Sequence, residues 1–247
     1  MVLAFIFCIL IPASMVQSRI ESLKPKSFEG DISMSRREMK SMQTEILFTG
    51  KIHPVHIWRE GLVPYQLSPK FSPSEKETIM EAMQDISGDT CIQFIPQSKE
   101  RDYIDFVKGD NKCSSKVGRM GKRQEILMSP PCMKHGTVVH ELLHALGLFH
   151  EQSRPDRDNY ITIQWDNLKN PNNKVNFEKY GTKFWSEHKL PYDYSSIMHY
   201  SSEAFSKKWG EKTIVPKTAN APMGQRASMS PFDKIKINMM YNCRLDK

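Results

Sequence analysis

Between His140 and His150 the chain reads HELLHALGLFH, which sets three imidazoles and a carboxylate among Leu, Ala, Gly and Phe. A polar group taken out of water is costly unless it is partnered, so a fold that buries this stretch must supply whatever the histidines bind. His140 and His144 are four residues apart. On an α-helix that spacing separates two side chains by about 40° in direction and about 6 Å in height, so both rings reach one point. Gly147 can leave the helix in a left-handed conformation, and the turn it permits returns His150 to the same point. Three neutral imidazoles around one vacant position make a zinc site with room for water. Glu141 sits about 100° further round the helix, close to that point but aimed differently, and is free to act as a base toward that water. The sequence therefore predicts a helix over 137–146, a zinc cofactor on His140, His144 and His150, and an apolar wall around it.

The segments before this helix alternate in character. WREGLVPYQL mixes strand formers with turn residues. SPSEKETIMEAMQDISGDT reads as a helix capped by Ser72 with Pro73 in its first turn, and Ile79, Ala82, Met83 and Ile86 recur at helical spacing. CIQFIP and YIDFVKG alternate as strands do, and VGRMGKRQEILM reads as a strand pair or one long edge strand. After Gly147 the chain turns irregular, with Pro155, Pro171, Pro191 and many Asn, until a final helix over 231–241 that begins at Ser230 and Pro231. Strands and a helix, then the histidine helix, then a loop-rich half form an α+β pattern with a cleft at the histidines.

The chain has 247 residues, enough for a real core. It opens MVLAFIFCILIPASMVQS, whose apolar run from Val2 to Pro12 is shorter than the ~20 residues of a membrane span and suits a secretory signal peptide cleaved near Ser18. No other stretch is long and apolar enough to span a bilayer, so the expectation is a secreted, extracellular chain without a membrane span. Of five cysteines, Cys8 falls in the leader. Cys91, Cys113, Cys132 and Cys243 remain, which in an oxidising compartment means two disulfides, with three pairings open. The formal charge is +7, but Lys and Arg are spread along the chain without a long basic run. That is a solvated basic surface, and no nucleic-acid partner is expected.

SSIMHY, Ser195 to Tyr200, carries the features of a methionine turn. Together with HELLHALGLFHEQSRPDRD it resembles the astacin family of zinc endopeptidases, over roughly Trp58 to Cys243. The resemblance implies a metzincin-type, two-lobed catalytic domain of α+β class. Its N-terminal lobe would hold a mixed twisted sheet and two helices, and its C-terminal lobe would be mostly irregular with a final helix. It implies zinc on His140, His144 and His150, Glu141 as general base and proton shuttle, and Tyr200 as a further ligand that swings away to donate to the oxyanion. Met198 would form the base under the metal, and Glu151 would receive the new N-terminus after activation. It pairs Cys91 with Cys243 and Cys113 with Cys132. FEGD, Phe28 to Asp31, is similar to the family's prosegment motif, whose aspartate blocks the metal in the latent form. The implied organisation is a signal peptide over 1–18, a propeptide over 19–50 and a peptidase domain over 51–247, a minimal and monomeric member cut free by an activating protease. Its partners would be protein or peptide substrates.

Two stretches depart from the family pattern. Cys113-Ser114-Ser115-Lys116 stands where aromatic residues often face the substrate, implying a wider, more polar subsite. EILFTGKIHP, where activation would fall, offers Lys51 and no Arg. Lys116, Arg119, Lys122 and Arg123 flank the expected substrate edge, with Lys217 and Arg226 on the primed side, so acidic residues near the scissile bond are expected to be preferred. The rival class is a non-catalytic secreted binding module on the same scaffold, which would lack Glu141 or a ligand; this chain keeps all of them.

Overall fold

The computed structural model describes residues 30–35, 38, 56–179 and 190–244. The expected signal peptide, Phe28 and Glu29 of the FEGD motif, and the expected cleavage region at 46–52 lie outside the described residues.

The first half alternates strand and helix: β1 (Leu62–Leu67), α1 (Pro73–Asp89), β2 (Gln93–Pro96), β3 (Ile104–Lys108), β4 (Gln124–Met128) and α2 (His135–Leu146). Helix α1 forms where its capping box does: the Glu75 amide donates to Ser72 Oγ at 3.2 Å and the Ser72 amide donates back to Glu75 Oε2 at 2.7 Å. Its apolar stripe of Ile79, Ala82, Met83 and Ile86 is buried, as its spacing requires. The stripe joins α2 and the inner faces of the strands in one core through Val63, Ile104, Phe106, Ile126, Val138 and Leu142.

The sheet corrects two expectations. Its order is β2-β1-β3-β4, and every named neighbour pair is parallel rather than mixed. The antiparallel contact on β4 is an isolated bridge, Ser114 to Leu127. The strand expected across 117–128 is confined to β4. Gly118 and Gly121 take positive φ of 69° and 71°, and the Gln124 side chain ties off the turn, donating to Gly118 O and accepting from the Met120 amide, both at 2.9 Å.

The C-terminal half is built from short 3-10 turns, a two-stranded antiparallel ribbon of β5 (Ile161–Ile163) and β6 (Ile214–Pro216), and α3 (Pro231–Met240). It has its own hydrophobic cluster of Ile161, Leu168, Phe177, Tyr192, Tyr200 and Ile214. The disulfides are Cys91–Cys243 and Cys113–Cys132, as the resemblance implies, with sequence separations of 152 and 19. In a chain-entropy account they contribute about 5 and about 3 kcal/mol. Among the described residues no helix is long and apolar enough to cross a membrane.

Helix α2 is buried along nearly its whole length, so its last four carbonyls need partners that water cannot supply. Each has one. The Leu148 amide donates to Leu143 O at 2.9 Å, and the amides of Gly147 and Gly118 donate to His144 O, both at 2.8 Å. Trp58 Nε1 donates to Ala145 O and the Tyr241 hydroxyl to Leu146 O, both at 2.9 Å. Two of these donors come from opposite ends of the domain, so the helix that carries the histidines is pinned by the whole fold.

Candidate active site

Gly147 has φ 113° and closes α2 with the paired bonds of a Schellman turn. The reversal brings His150 back beside His140 and His144. His150 Nε2 is 3.2 Å from His144 Nε2 and 3.3 Å from His140 Nε2. Nitrogens bound tetrahedrally to one zinc at about 2.0–2.1 Å stand about 3.3–3.4 Å apart, so this triangle already has the edge of a zinc site. The Asp31 carboxylate closes the fourth corner, 3.1 Å from His140 Nε2, 3.3 Å from His150 and 3.8 Å from His144.

The tautomers agree. His140 Nδ1 lies 2.9 Å from Ile197 O and His144 Nδ1 2.8 Å from Leu148 O. A carbonyl only accepts, so both Nδ1 atoms carry the proton and both Nε2 lone pairs point inward. Burial pushes His140 down to about 4 and His144 well below its ordinary value, which keeps both rings neutral. Burial raises the Asp31 carboxyl, but His150 and His140 outweigh it and hold the group well below its usual range. Neutral His140 and His144 and an ionised Asp31 are the protonation states that metal ligands need. Asp31 Oδ1 and Glu141 Oε2 are buried without a hydrogen-bond partner. Inward lone pairs facing an orphaned carboxylate oxygen fit a divalent cation, and the nitrogen-rich donor set fits zinc.

Glu141 is buried, and its carboxyl is raised well above the usual range by burial first and by the Asp31 charge second, with Arg226 opposing. Tyr200 is buried with its ring 4.6 Å from that of His150, centroid to centroid. Met198 is buried in the turn beneath α2, whose Ile197 O orients His140. Sequence reasoning missed what holds this turn. Asp233 of α3 accepts from Ser196 Oγ at 2.6 Å and from the Ile197 amide at 2.9 Å, while its amide and carboxylate also complete a capping box with Ser230. The Ser-Pro-Phe-Asp start of α3 announced the capping box; its second function is a tertiary contact.

Glu151 is fully buried. Its Oε1 accepts from Arg154 Nη1 at 3.0 Å and from the Asp193 amide at 2.9 Å, and its Oε2 accepts from Lys236 Nζ at 2.6 Å. Lys236 was another residue the sequence did not single out.

The edge beyond β4 carries the stretch Cys113, Ser114, Ser115, Lys116. Residues 31–33 lie along it: the Ser115 amide donates to Asp31 O at 2.9 Å and the Ser33 amide donates to Ser115 O at 2.8 Å, a parallel bridge centred on Ile32. Lys116 Nζ is 3.4 Å from both carboxylate oxygens of Glu38. Three of the other expected basic residues are engaged elsewhere, and Lys122 is exposed. Arg119 pairs with Asp102, Arg123 with Asp105 and Glu125, and Lys217 donates to Asp158 O. Arg226 is half-buried and acts on Asp31, Tyr200 and Glu141 through its charge.

Four converging candidate metal ligands stand beside a buried carboxylate oxygen without a hydrogen-bond partner and a cleft edge that already takes up an extended segment of the chain. The model of the Astacin peptidase family matches residues 50–242, and the chain belongs to that family. The zinc metalloproteinase nas-15 of Caenorhabditis elegans is 41% identical over 193 residues, covering 78% of this chain and 33% of that protein. High choriolytic enzyme 1 of Oryzias latipes is 44% identical over 185 residues, covering 74% of this chain and 67% of that one. The solved structure of that enzyme, described as a hatching enzyme zinc-protease, superposes with a TM-score of 0.72 at 42% identity, covering 76% of this chain and 96% of its own. Myroilysin, at 22% identity and TM-score 0.55, shares the fold. The chain spans only part of several curated relatives, a third of one of them.

Proposed function

We propose that this chain is a secreted zinc endopeptidase, cutting protein substrates and made as a latent precursor blocked by Asp31. The observation that carries the reading is the convergence of three Nε2 atoms and the Asp31 carboxylate on one point beside an unpartnered Glu141. Family membership supports the zinc-dependent activity, and the disulfides support an oxidising, extracellular setting.

His140, His144 and His150 hold the ion, with Ile197 O and Leu148 O fixing the first two rings. Bound zinc supplies Lewis acidity toward a water and toward the scissile carbonyl. Glu141 takes the proton of the attacking water and carries it to the leaving amine; a carboxylate raised by burial is a better match for that traffic than an ordinary one. The Tyr200 hydroxyl donates to the developing oxyanion. The edge at Ser115 pairs with substrate backbone, as it pairs with residues 31–33 here. Residues 19–50 are the prosegment, released by a separate activating protease, and the active unit is a monomer. Digestion of casein by the activated chain should be abolished by 1,10-phenanthroline. Undiminished digestion by metal-free protein rejects the reading.

Acidic preference narrows to Lys116 and Arg226. Lys116 is neutralised by Glu38 in this structure, and loss of the prosegment frees it for an acidic substrate side chain. A peptide-library cleavage profile should show acidic enrichment near the scissile bond that Lys116→Ala weakens. A profile with no acidic enrichment at any subsite contradicts this.

A further inference from the structure

Resting on the peptidase reading above, a platform on the C-terminal half extends the cleft. Trp209 is 98% exposed, while the other exposed large apolar side chains among the described residues stand between 37% and 43%. An indole that far out buries nothing within its own fold, and tryptophan is among the side chains most enriched where one protein grips another. The backbone on either side of it is fixed. The Gly210 amide donates to Glu203 Oε2 at 2.9 Å, the Ser206 hydroxyl to Lys208 O at 2.7 Å and the Glu211 amide to Lys208 O at 3.2 Å. The turn Trp165–Asn167 is tied to this one: the Lys207 amide donates to Asn167 O at 2.9 Å and Asn167 Nδ2 to Lys212 O at 2.8 Å. It adds an exposed second indole, Trp165, with the Lys174 ammonium 6.0 Å from the centre of its ring. Indoles held outward on a fixed backbone give up little freedom when a partner covers them.

The platform begins at the cleft. Phe205, four residues before Trp209, has its ring 5.6 Å from that of Tyr200 and 5.9 Å from that of Phe177, centroid to centroid. Its carbonyl accepts from the Lys169 amide at 2.9 Å, just past the Trp165 turn. The seated segment gives the cleft its direction: Gly30 lies against Phe205, Asp31 at the histidines and Ile32 on the Ser115 bridge. A substrate with one half on the Ser115 edge and its scissile bond at the metal therefore sends its other half past Phe205. An extended backbone covers at most ~3.3–3.6 Å per residue, which puts Trp209 within about 14 Å of Phe205, or about four residues of extended substrate. Lys174, Lys208 and Lys212 are exposed on the same platform. Glu211 stands 3.7 Å from Lys207 Nζ and 3.6 Å from Lys208 Nζ, too far for a hydrogen bond, and Glu203 gives one oxygen to Gly210. Indoles among ammonium groups are complementary to a segment that carries apolar and acidic side chains together. A lipid surface, which also attracts indoles and lysines, would need no such continuity with the cleft.

We infer that Trp209, with the lysines around it, is an exosite for the part of a protein substrate that leaves the cleft past Phe205, and that it selects apolar and acidic side chains there. It takes no part in the chemistry at the metal. Once it holds the substrate, binding at the cleft becomes intramolecular and proceeds at a raised effective concentration. The enzyme then favours long, flexible chains over short peptides of the same cleavage sequence.

The test uses the activated chain and the best short peptide from a cleavage library, alone and with about ten added residues rich in Leu, Asp and Glu at one end or the other. One of the two extensions should raise kcat/KM about tenfold through a lower KM, the size of effect a well-covered indole commands. The gain should shrink as salt screens the lysines. Trp209→Ser, at a side chain almost wholly in water, should erase the gain and leave the short peptide's kcat/KM as it was. Lys208→Ala combined with Lys212→Ala should remove the salt dependence and part of the gain. If neither extension raises kcat/KM, or if the gain persists in Trp209→Ser, the platform does not hold substrate. An equal loss on short and extended peptides in Trp209→Ser would make the turn a support of the cleft and would also sink the inference. Binding to phosphatidylserine vesicles that Trp209→Ser abolishes, with peptide kinetics untouched, would assign the platform to a lipid surface instead. Failure of the wild-type chain to cleave any peptide would count against the peptidase reading itself.

Discussion

Glu141→Gln is expected to leave the zinc content of the activated chain unchanged and to lower kcat by about 10²–10⁴, the usual worth of a general acid–base group. The two side chains have nearly the same shape. Glu141 Oε2 has no hydrogen-bond partner, so no bond at that atom is lost on substitution. Glu141 is not one of the four groups that converge on the metal position. The amide differs in the one respect that matters, because it cannot take a proton from water and return it to an amine. KM should change little, since Glu141 acts on the reacting atoms rather than on the substrate's extended backbone. Steady-state kinetics with zinc quantified on the same sample separates the roles. A variant that keeps its zinc and most of its kcat would remove Glu141 from the chemistry; one that loses zinc would make it a ligand.

The metal position was legible because its signal is local. A four-residue step on a helix, a glycine that can turn left-handed and a histidine three residues on leave little freedom, and α2 from His135 to Leu146 encloses the expected span. Ser72, Pro73 and the Ile79–Ile86 stripe were legible for the same reason. What sequence reasoning missed depends on partners far away along the chain. Nothing near Asp233 shows that its carboxylate grips Ser196 and Ile197, and nothing near Lys236 shows that it reaches Glu151. The strand expected at 117–123 failed because alternation outweighed two glycines whose positive φ breaks it. The mixed sheet was an expectation from the resemblance, and strand periodicity could not test it because it carries no information about the direction of the neighbour. Basic residues near the cleft were read as one group, whereas their acidic partners, Asp102, Asp105 and Glu125, lie on or near the strands of the N-terminal sheet. Lys116, through Glu38, and Arg226, through its charge on Asp31 and Glu141, keep a link to the site.

Asp31→Ala should convert a silent precursor into one that is leaky or self-activating. In this structure residues 31–33 lie along the Ser115 edge, with Ile32 and Met34 fully buried as anchors on either side of Ser33. Gly30 makes the approach possible. It has φ +76°, and a Cβ there would stand 3.0 Å from Phe205 Cζ, so any side chain would be strained as well as crowded. The geometry delivers one group, the Asp31 carboxylate, to the corner of the histidine triangle that a catalytic water requires. A carboxylate binds zinc at about 2.0–2.2 Å, so it excludes water from that position. Alanine leaves the anchors, the Ser115 bonds and the Lys116–Glu38 pair in place and removes only the plug. If the wild-type precursor is open about 1% of the time and the variant is open for most of it, turnover should rise about a hundredfold. The measurement is the rate of casein cleavage by uncut precursor, wild type against Asp31→Ala, with zinc counted and folding verified for both. The expected result is one zinc in each, silence in the wild type, and cleavage, with self-processing, in the variant. Equal silence from two folded, zinc-loaded precursors would contradict Asp31 as the group that holds this enzyme latent.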